Sequence, residues 1–278
     1  MVEIREESTE SRGQQSPGTS SADAASGSGD APPPQHGQTQ SSDFISFMKN
    51  RPIDCVLWAL RLMTVFLAVC YTLAIGGPKQ QMSFYSKTLL TGAATNALRL
   101  HQRLGGFRLS REFFSAMFLE DACHYFFYCV LFLSNYPVTM VLLPVLLFAM
   151  LHAASFSLQM LNAAGMSGSW LHRALSSFTE QYAQNLLSVI ACTEIFLLPA
   201  IVILIFMGRS NILVPIIYYR FLTLRYMSRR NPNTRVAFHQ LRLALEQTVG
   251  RPGCPPLIRS SAYRVIGLVE RLAPQQMP

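Results

Sequence analysis

The chain of 278 residues is half hydrophobic, has only 14% charged residues and carries a formal net charge of +8. A soluble globular domain has about 25% charged residues, so this composition and a mean hydropathy of +0.25 exclude a simple cytosolic enzyme and a disulfide-stapled secreted domain. The composition points to a membrane protein.

The first 43 residues differ in composition from the rest of the chain. They hold seven acidic residues, two arginines and no aromatic residue, whereas residues 44–278 have a net charge of +13. Ser, Gly, Pro and Gln make up most of this tail, so it has too little apolar surface to offset the entropy of ordering the chain. We predict a disordered acidic tail over 1–43, a membrane domain over 44–227 and a cytosolic basic region over 228–278.

Four apolar segments follow the tail, each about as long as the 20 residues that a bilayer core requires. They are predicted as spans near residues 55–75, 113–133, 138–158 and 185–207. The fold class is therefore all-α: a multi-pass membrane helical bundle of three or four spans, with C-terminal amphipathic helices.

Two further features refine this assignment. Arg61 lies inside the first span, and we expect its side chain to extend to the interface. A weaker apolar stretch, residues 212–226, is interrupted by Pro215 and two arginines, and is predicted to lie at the interface without crossing.

Lysine and arginine in the loops predict the orientation, because positively charged loops stay on the cytosolic side. Residues 76–112 hold six basic residues and residues 208–278 hold eleven arginines, so both segments favour the cytosol. This requires an even number of crossings between them, and we expect the third span, which contains Pro144, to enter the membrane without crossing. The alternative has four crossings and both termini in the cytosol. A cytosolic C-terminal region is common to both.

Two basic amphipathic helices are predicted beyond the membrane segments. Residues 234–249 and 256–272 repeat apolar side chains at intervals of three and four, with arginines beside the stripe. Such helices lie in the membrane interface, or their stripes pack against the protein itself.

Arginine greatly outnumbers lysine in this chain, and guanidinium groups suit lipid phosphates. The predicted membrane-surface or lipid-binding residues are Arg220, Arg225, Arg229, Arg230, Arg235, Phe238, Leu241, Arg242, Leu245, Arg259, Val265 and Val269. No fingerprint of an RNA- or DNA-binding fold accompanies them, so we predict no direct contact with nucleic acid.

Ionisable residues within the apolar segments form a second candidate set: Glu120, Asp121, His124, His152 and Glu194. Charged groups are costly inside a bilayer and usually mark an ion path, a metal site or an ion pair. Glu120 and His124 share a helix face at a spacing that suits zinc or iron, but no second Glu-x-x-His or His-x-x-x-His motif completes a metal site. We therefore favour interhelical hydrogen bonds or pairing with arginine, and predict no metal, no cofactor and no catalytic residue.

Several runs of sequence along the body carry a family resemblance. They include residues 97–104 (ALRLHQRL), 120–125 (EDACHY), 135–140 (NYPVTM), 144–148 (PVLLF), 194–197 (EIFL) and 218–226 (YYRFLTLRY). Together they resemble the transmembrane protein 33 family, whose insect member is called Krüppel homolog 2, over about residues 44–275.

The resemblance implies a non-enzymatic, multi-pass protein of the endoplasmic reticulum membrane and nuclear envelope. It also implies reticulon-like membrane-shaping partners, a link to nuclear pore assembly and, as in the yeast member, C-terminal amphipathic helices that respond to curved membrane. We predict a protein that organises curved membrane together with the lipid bilayer, reticulon-like proteins and nuclear pore components. The alternative hypothesis is a transporter or channel accessory that uses the five intramembrane ionisable residues.

Overall fold

The computed structural model describes residues 38–105, 110–228, 232–251 and 253–273, with side chains from residue 44 onward. This part of the chain forms ten helices and no strand, so the all-α class is confirmed. The helices are α1 (Gln38–Asn50), α2 (Pro52–Thr72), α3 (Pro78–Leu104), α4 (Arg111–Leu119), α5 (Asp121–Leu133), α6 (Thr139–Ala163), α7 (Trp170–Phe206), α8 (Leu213–Met227), α9 (Asn233–Val249) and α10 (Pro256–Leu272).

Helix α1 begins earlier in the chain than the composition of the tail predicts. Residues 1–37 of the predicted tail lie outside the described residues, while 38–43 form the first turns of α1. Helix α1 packs against α6 and α2. Helix α1 therefore begins within the segment predicted as tail.

Local sequence determines where the helices start and stop. Proline stands at the first position of both α2 and α3, where the missing N–H costs no helical hydrogen bond. Between them, Gly76 and Gly77 adopt φ values of 85° and 84°, which a residue without a Cβ atom tolerates. Helix α4 is capped by Ser110, whose hydroxyl accepts a 3.1 Å hydrogen bond from the amide of Phe113.

Within the part of the chain that the structure describes, three helices are long and apolar enough to cross a membrane: α2, α6 and α7. They include most of three of the four predicted spans. The fourth, predicted as one helix over 113–133, is instead divided into α4 and α5, which meet at Glu120 with a bend of 82°. Glu120 has extended backbone angles, and α5 begins at the next residue. The pair is either a broken span or a re-entrant loop.

This bend changes which segment is the candidate for re-entry. The third predicted span was expected to be interrupted at Pro144, but α6 runs without a break through that residue for 25 residues. The interruption lies in the second predicted span instead. The number of crossings stays a prediction, since the assignment of spans rests on length and composition.

The bundle has an aromatic core. Buried side chains of α3, α5, α6, α7 and α8 meet there, among them Tyr85, Tyr128, Phe132, Val141, Leu197 and Tyr218. A second cluster joins α6 to α7 through Leu151 and Ile190. Helix α8 therefore belongs to the body of the bundle. Helix α9 packs against both α7 and α8.

Candidate functional site

A buried ion-pair cluster, formed by Asp121, Glu194 and Arg225, joins three helices. Nη1 of Arg225 lies 3.2 Å from Oδ1 of Asp121, and its Nε lies 3.3 Å from Oε1 of Glu194. The three residues come from α5, α7 and α8, and all are buried. Burying a charge is unfavourable unless it is paired and hydrogen-bonded, so the arginine and the two carboxylates depend on each other.

Hydroxyl groups donate hydrogen bonds to both carboxylates, while Oδ2 of Asp121 has no hydrogen-bond partner among the described residues. Glu194 accepts a hydrogen bond from Tyr125 and another from Thr234 at 3.5 Å, while Ser228 donates to Asp121 at 3.0 Å. The guanidinium of Arg225 also stands over the ring of Tyr125, 5.1 Å from its centroid. The cluster therefore links α9, through Thr234, to the membrane helices.

Tyr218 ties α8 to the backbone of α7 beside this cluster. Its hydroxyl donates a 2.8 Å hydrogen bond to the carbonyl of Glu194. Burial raises the pKa of Tyr218 well above its ordinary value, and the charge of Glu194 raises it further. The phenol consequently stays protonated and remains a donor.

The structure does not gather the five predicted intramembrane residues into one site. Glu120 pairs with Arg103 of α3 at 2.8 Å, and His124 places Nδ1 3.6 Å from Asp121 while its Nε2 contacts the Phe118 carbonyl at 2.7 Å. His152 lies apart from these pairs, with its ring stacked on Phe148. Among the described residues, no group of three His, Cys, Asp or Glu side chains is placed to hold a metal ion.

One predicted lipid-binding residue is not at the surface. Arg225 was assigned to lipid headgroups because it lies in a basic, aromatic stretch, but it is buried in the ion-pair cluster. The membership of α8 in the bundle is the physical reason, since one face of that helix must point inward. Arg220, on the same helix, is exposed, and Arg229 and Arg230 lie outside the described residues.

Helix α9 packs its predicted stripe on the protein itself. Ala237 is buried, and Phe238, Leu241 and Leu245 are half-buried, with the ring of Phe238 against Tyr226. Arg235 is half-buried as well. For α9 the second of the two sequence-based interpretations is therefore the one that the contacts favour.

Helix α10 leaves its stripe uncovered. The exposed apolar face of α10 consists of Leu257, Ile258, Val265, Leu268, Val269 and Leu272. Leu257 and Leu268 are 79% and 57% exposed, and Ala262 is the one buried residue of the helix. At about 100° per residue, these six side chains cover roughly 120° of the helix surface. Arg264 and Arg271 follow next around the helix.

Polar contacts of three side chains attach α10 to α8, α9 and the segment that follows α9. Arg242 of α9 bonds to Glu270, Tyr219 of α8 donates a 2.8 Å hydrogen bond to the carbonyl of Leu272, and Arg259 donates to the carbonyl of Val249 at 3.3 Å. Arg259, predicted to bind lipid, is thus partly engaged within the protein. The apolar face makes none of these contacts.

Two buried arginines were not identified as site residues from the sequence. Arg61 and Arg99 are only 4% and 7% exposed, and both line a cavity together with Arg225 and His152. The expectation that Arg61 extends to the interface is therefore wrong, because its side chain points into the bundle. The sequence feature that could have identified Arg61 as a site residue is its position inside an apolar span.

Comparison with known proteins gives consistent matches over most of the chain. The model of the family described as Transmembrane protein 33/Nucleoporin POM33 matches residues 36–275. Human "Transmembrane protein 33" is 44% identical over 235 residues, which cover 84% of this chain and 95% of the relative. "Krueppel homolog 2" of Drosophila melanogaster is 45% identical over 232 residues, covering 84% and 82%. No solved structure matches the chain significantly.

Proposed function

Since this chain belongs to the transmembrane protein 33/nucleoporin POM33 family of membrane proteins, we propose that it organises curved membrane of the endoplasmic reticulum and nuclear envelope without catalysing a reaction. The observation that carries the proposal is the exposed apolar face of α10. The helix is attached to the bundle by its other side, so this face is available to insert between lipid headgroups.

The charges of α10 suit a membrane surface. Arg264 and Arg271 are exposed beside the apolar face, where each cation near an anionic leaflet contributes about 1 kcal/mol of attraction. Shallow insertion of an apolar face requires gaps between headgroups, and such gaps are commoner in strongly curved membrane. An α10 that binds there would concentrate the protein on tubules and at pore rims.

Partners form the second part of the proposal. We assign reticulon-like membrane-shaping proteins as partners within the bilayer and nuclear pore components as partners at the envelope. The word nucleoporin in the family description supports the second assignment, and the resemblance of the sequence to its family supports the first. We place the C-terminal region in the cytosol, where it reaches both.

The alternative function, a transporter or channel accessory, is less well supported by the contacts. It would use Glu120, Asp121, His124, His152 and Glu194 as an ion path, which requires side chains that change partners. The carboxylates of Asp121 and Glu194 are instead engaged by one arginine and several hydroxyls, and Glu120 is paired with Arg103. These are contacts that hold helices together.

The test is sorting of the full-length protein between flat and curved membrane. The full-length protein, labelled with a fluorophore and reconstituted in giant vesicles that contain anionic lipid, should become enriched in a thin tube pulled from the vesicle. Leu268→Glu places a charge in the exposed apolar face of α10 and should abolish the enrichment. Tyr263→Glu adds the same charge at an exposed position on the opposite side of the helix and should preserve it. Equal enrichment of all three proteins would contradict the proposal.

A further inference from the structure

A cavity of about 60 Å³ lies inside the bundle, bounded by α2, α3, α5, α6 and α8. Three arginines line it, one from each of three helices: Arg61, Arg99 and Arg225. The other ionisable side chains in its wall are Asp121, Tyr125 and His152. Three guanidinium groups therefore meet at one cavity in the interior of an apolar bundle.

The cavity lies near the middle of two membrane helices. Arg61 is the tenth of the 21 residues of α2, and His152 is the fourteenth of the 25 residues of α6. Ionisable groups at this depth are expensive, and they usually face a cavity or a binding site. The exposed apolar face of α10 takes no part in this region.

Arg225 has a different role in the cavity from the other two arginines. Arg225 is engaged by the carboxylates of both Asp121 and Glu194, so it contributes to the frame of the cavity. Arg61 and Arg99 line the cavity outside this ion-pair cluster. A guanidinium offers several donors in a planar fork that matches the oxygen atoms of phosphate or carboxylate.

Two further features favour a negatively charged ligand. Asp121 and Ala122, the first residues of α5, line the cavity, so the positive end of that helix dipole is directed to its wall. Nδ1 of His152 is buried and has no hydrogen-bond partner among the described residues. In the tautomer that carries a proton on Nδ1, it is a third donor for a ligand.

The volume limits the size of the ligand. A water molecule needs about 10–15 Å³ of such space, so the cavity has room for roughly four to six waters. A tetrahedral oxyanion of five heavy atoms is of this size. A nucleotide or a whole lipid is too large, although a phosphate at the end of a lipid headgroup would fit.

We propose that this cavity binds a phosphate-type oxyanion, either free or carried on a lipid headgroup, through Arg61, Arg99 and His152. Through these three side chains the ligand links α2, α3 and α6. The site is independent of the membrane-shaping role proposed above, because none of its residues belongs to α9 or α10.

The test measures thermal unfolding of the full-length protein in detergent. Sodium phosphate should raise the midpoint saturably when sodium chloride at equal ionic strength does not. Dioctanoyl phosphatidylinositol 4-phosphate is the second ligand, with dioctanoylglycerol as its phosphate-free control. A response to inorganic phosphate identifies a free anion, and a response to the phosphorylated lipid alone identifies a headgroup. No specific response to either compound would overturn the proposal.

Variants locate the site. Arg99→Gln and Arg61→Gln should each weaken binding by about tenfold or more, because each removes a charge-assisted hydrogen bond. Arg111→Gln removes the same charge from an exposed position in α4 and should leave binding unchanged. If a glutamine variant fails to fold, Arg99→Lys keeps the charge without the planar fork and should still weaken binding. Binding that survives undiminished in the Arg99 and Arg61 variants would place the anion elsewhere and contradict the site.

Discussion

The guanidinium of Arg225 lies 3.3 Å from the carboxylate of Glu194, and the two side chains are 1% and 0% exposed. The contact joins α8 to α7 in the interior of the bundle. Because the same guanidinium also engages Asp121 of α5, one arginine holds three helices in a fixed relation.

We expect Arg225→Met to destabilise the protein strongly. The substitution leaves two buried carboxylates without their cation, which costs roughly 3–5 kcal/mol. The midpoint of SDS-induced unfolding of the detergent-purified protein measures the effect. Arg220→Met, at an exposed position of the same helix, is the matched control and should change the midpoint little.

A triple variant tests whether the unpaired carboxylates, and not the methionine side chain itself, cause the loss of stability. Asp121→Asn and Glu194→Gln, added to Arg225→Met, leave no unpaired buried charge and should restore part of the lost stability. If Arg225→Met unfolds at the same SDS concentration as Arg220→Met, the cluster does not stabilise the bundle.

A close approach of helices at Gly92 gives the second prediction. A Cβ atom at this position would lie 2.9 Å from Cγ1 of Val145 and 3.2 Å from Sγ of Cys129. Gly92→Ala should therefore destabilise the bundle by about 1–3 kcal/mol through overpacking, measured by the same SDS unfolding. Val145→Ala removes the nearest atom and should recover part of the loss in the double variant.

Gly267→Ala is the matched control for this packing effect. A Cβ atom at Gly267 in α10 meets nothing within 4 Å. Alanine should favour the helix there by up to about 1 kcal/mol, with no loss of stability in the bundle. Equal unfolding midpoints for Gly92→Ala and the unaltered protein would show that α3 and α6 can separate at no cost.

The attachment of α10 gives the third prediction. Arg242 is exposed and contacts Glu246 on its own helix and Glu270 on α10. The hydrogen bond to Glu246 and the charge of Glu270 raise the pKa of Arg242, so it stays charged at working pH. Exposed ion pairs are screened by salt. Amide hydrogen exchange in α10 should thus accelerate when salt is raised.

The variant that tests this attachment is Arg242→Gln. It should accelerate exchange over residues 256–272 and leave exchange in α7 unchanged, because the two contacts that are lost lie within α9 and between α9 and α10. Arg264→Gln removes one charge from α10 itself and serves as the control, with exchange close to that of the unaltered protein. Salt-independent exchange in α10 would mean that its backbone contacts, through Tyr219 and Arg259, are sufficient.

The sequence predicted correctly those helices that depend on local features, namely the length of an apolar segment and the spacing of apolar residues. Apolar length predicted α2, α6 and most of α7, and helical periodicity predicted α9 and α10 nearly to the residue. The bend at Glu120 was not predicted, because a window of average hydropathy passes over a single residue with extended backbone angles. At this break Glu120 pairs with Arg103 of α3, and Asp121 pairs with Arg225 of α8.

The functional residues were harder to predict for a related reason. Arg225 resembled a surface residue, since tyrosines and other arginines surround it in the sequence, whereas tertiary packing decides which face of α8 points inward. Arg61 and Arg99 are far apart in the sequence, and only the pairing of α2 with α3 brings them to one cavity. Residues that act together across helices leave no periodic pattern in a single sequence.

Topology gives the last prediction. If α6 and α7 both cross, a cytosolic C-terminal region places the turn at Ser134 in the cytosol as well. The basic segment before α4 also favours the cytosol. Both conditions hold only when the bent pair α4–α5 enters and leaves on the same side, as a re-entrant loop, with three crossings in total and α1 on the lumenal side.

Cysteine accessibility distinguishes the re-entrant loop from a broken span. In sealed microsomes, a membrane-impermeant maleimide should label Lys79→Cys, Ser134→Cys and Ser260→Cys, each introduced singly into a chain without its native cysteines. A broken span would move Lys79 to the lumen, so that this one position would react only after the membrane is permeabilised. Protection of Ser134→Cys would show that α6 and α7 do not both cross. Because Ser260→Cys lies in the C-terminal region, which is cytosolic in both arrangements, its labelling serves as the control for correct insertion.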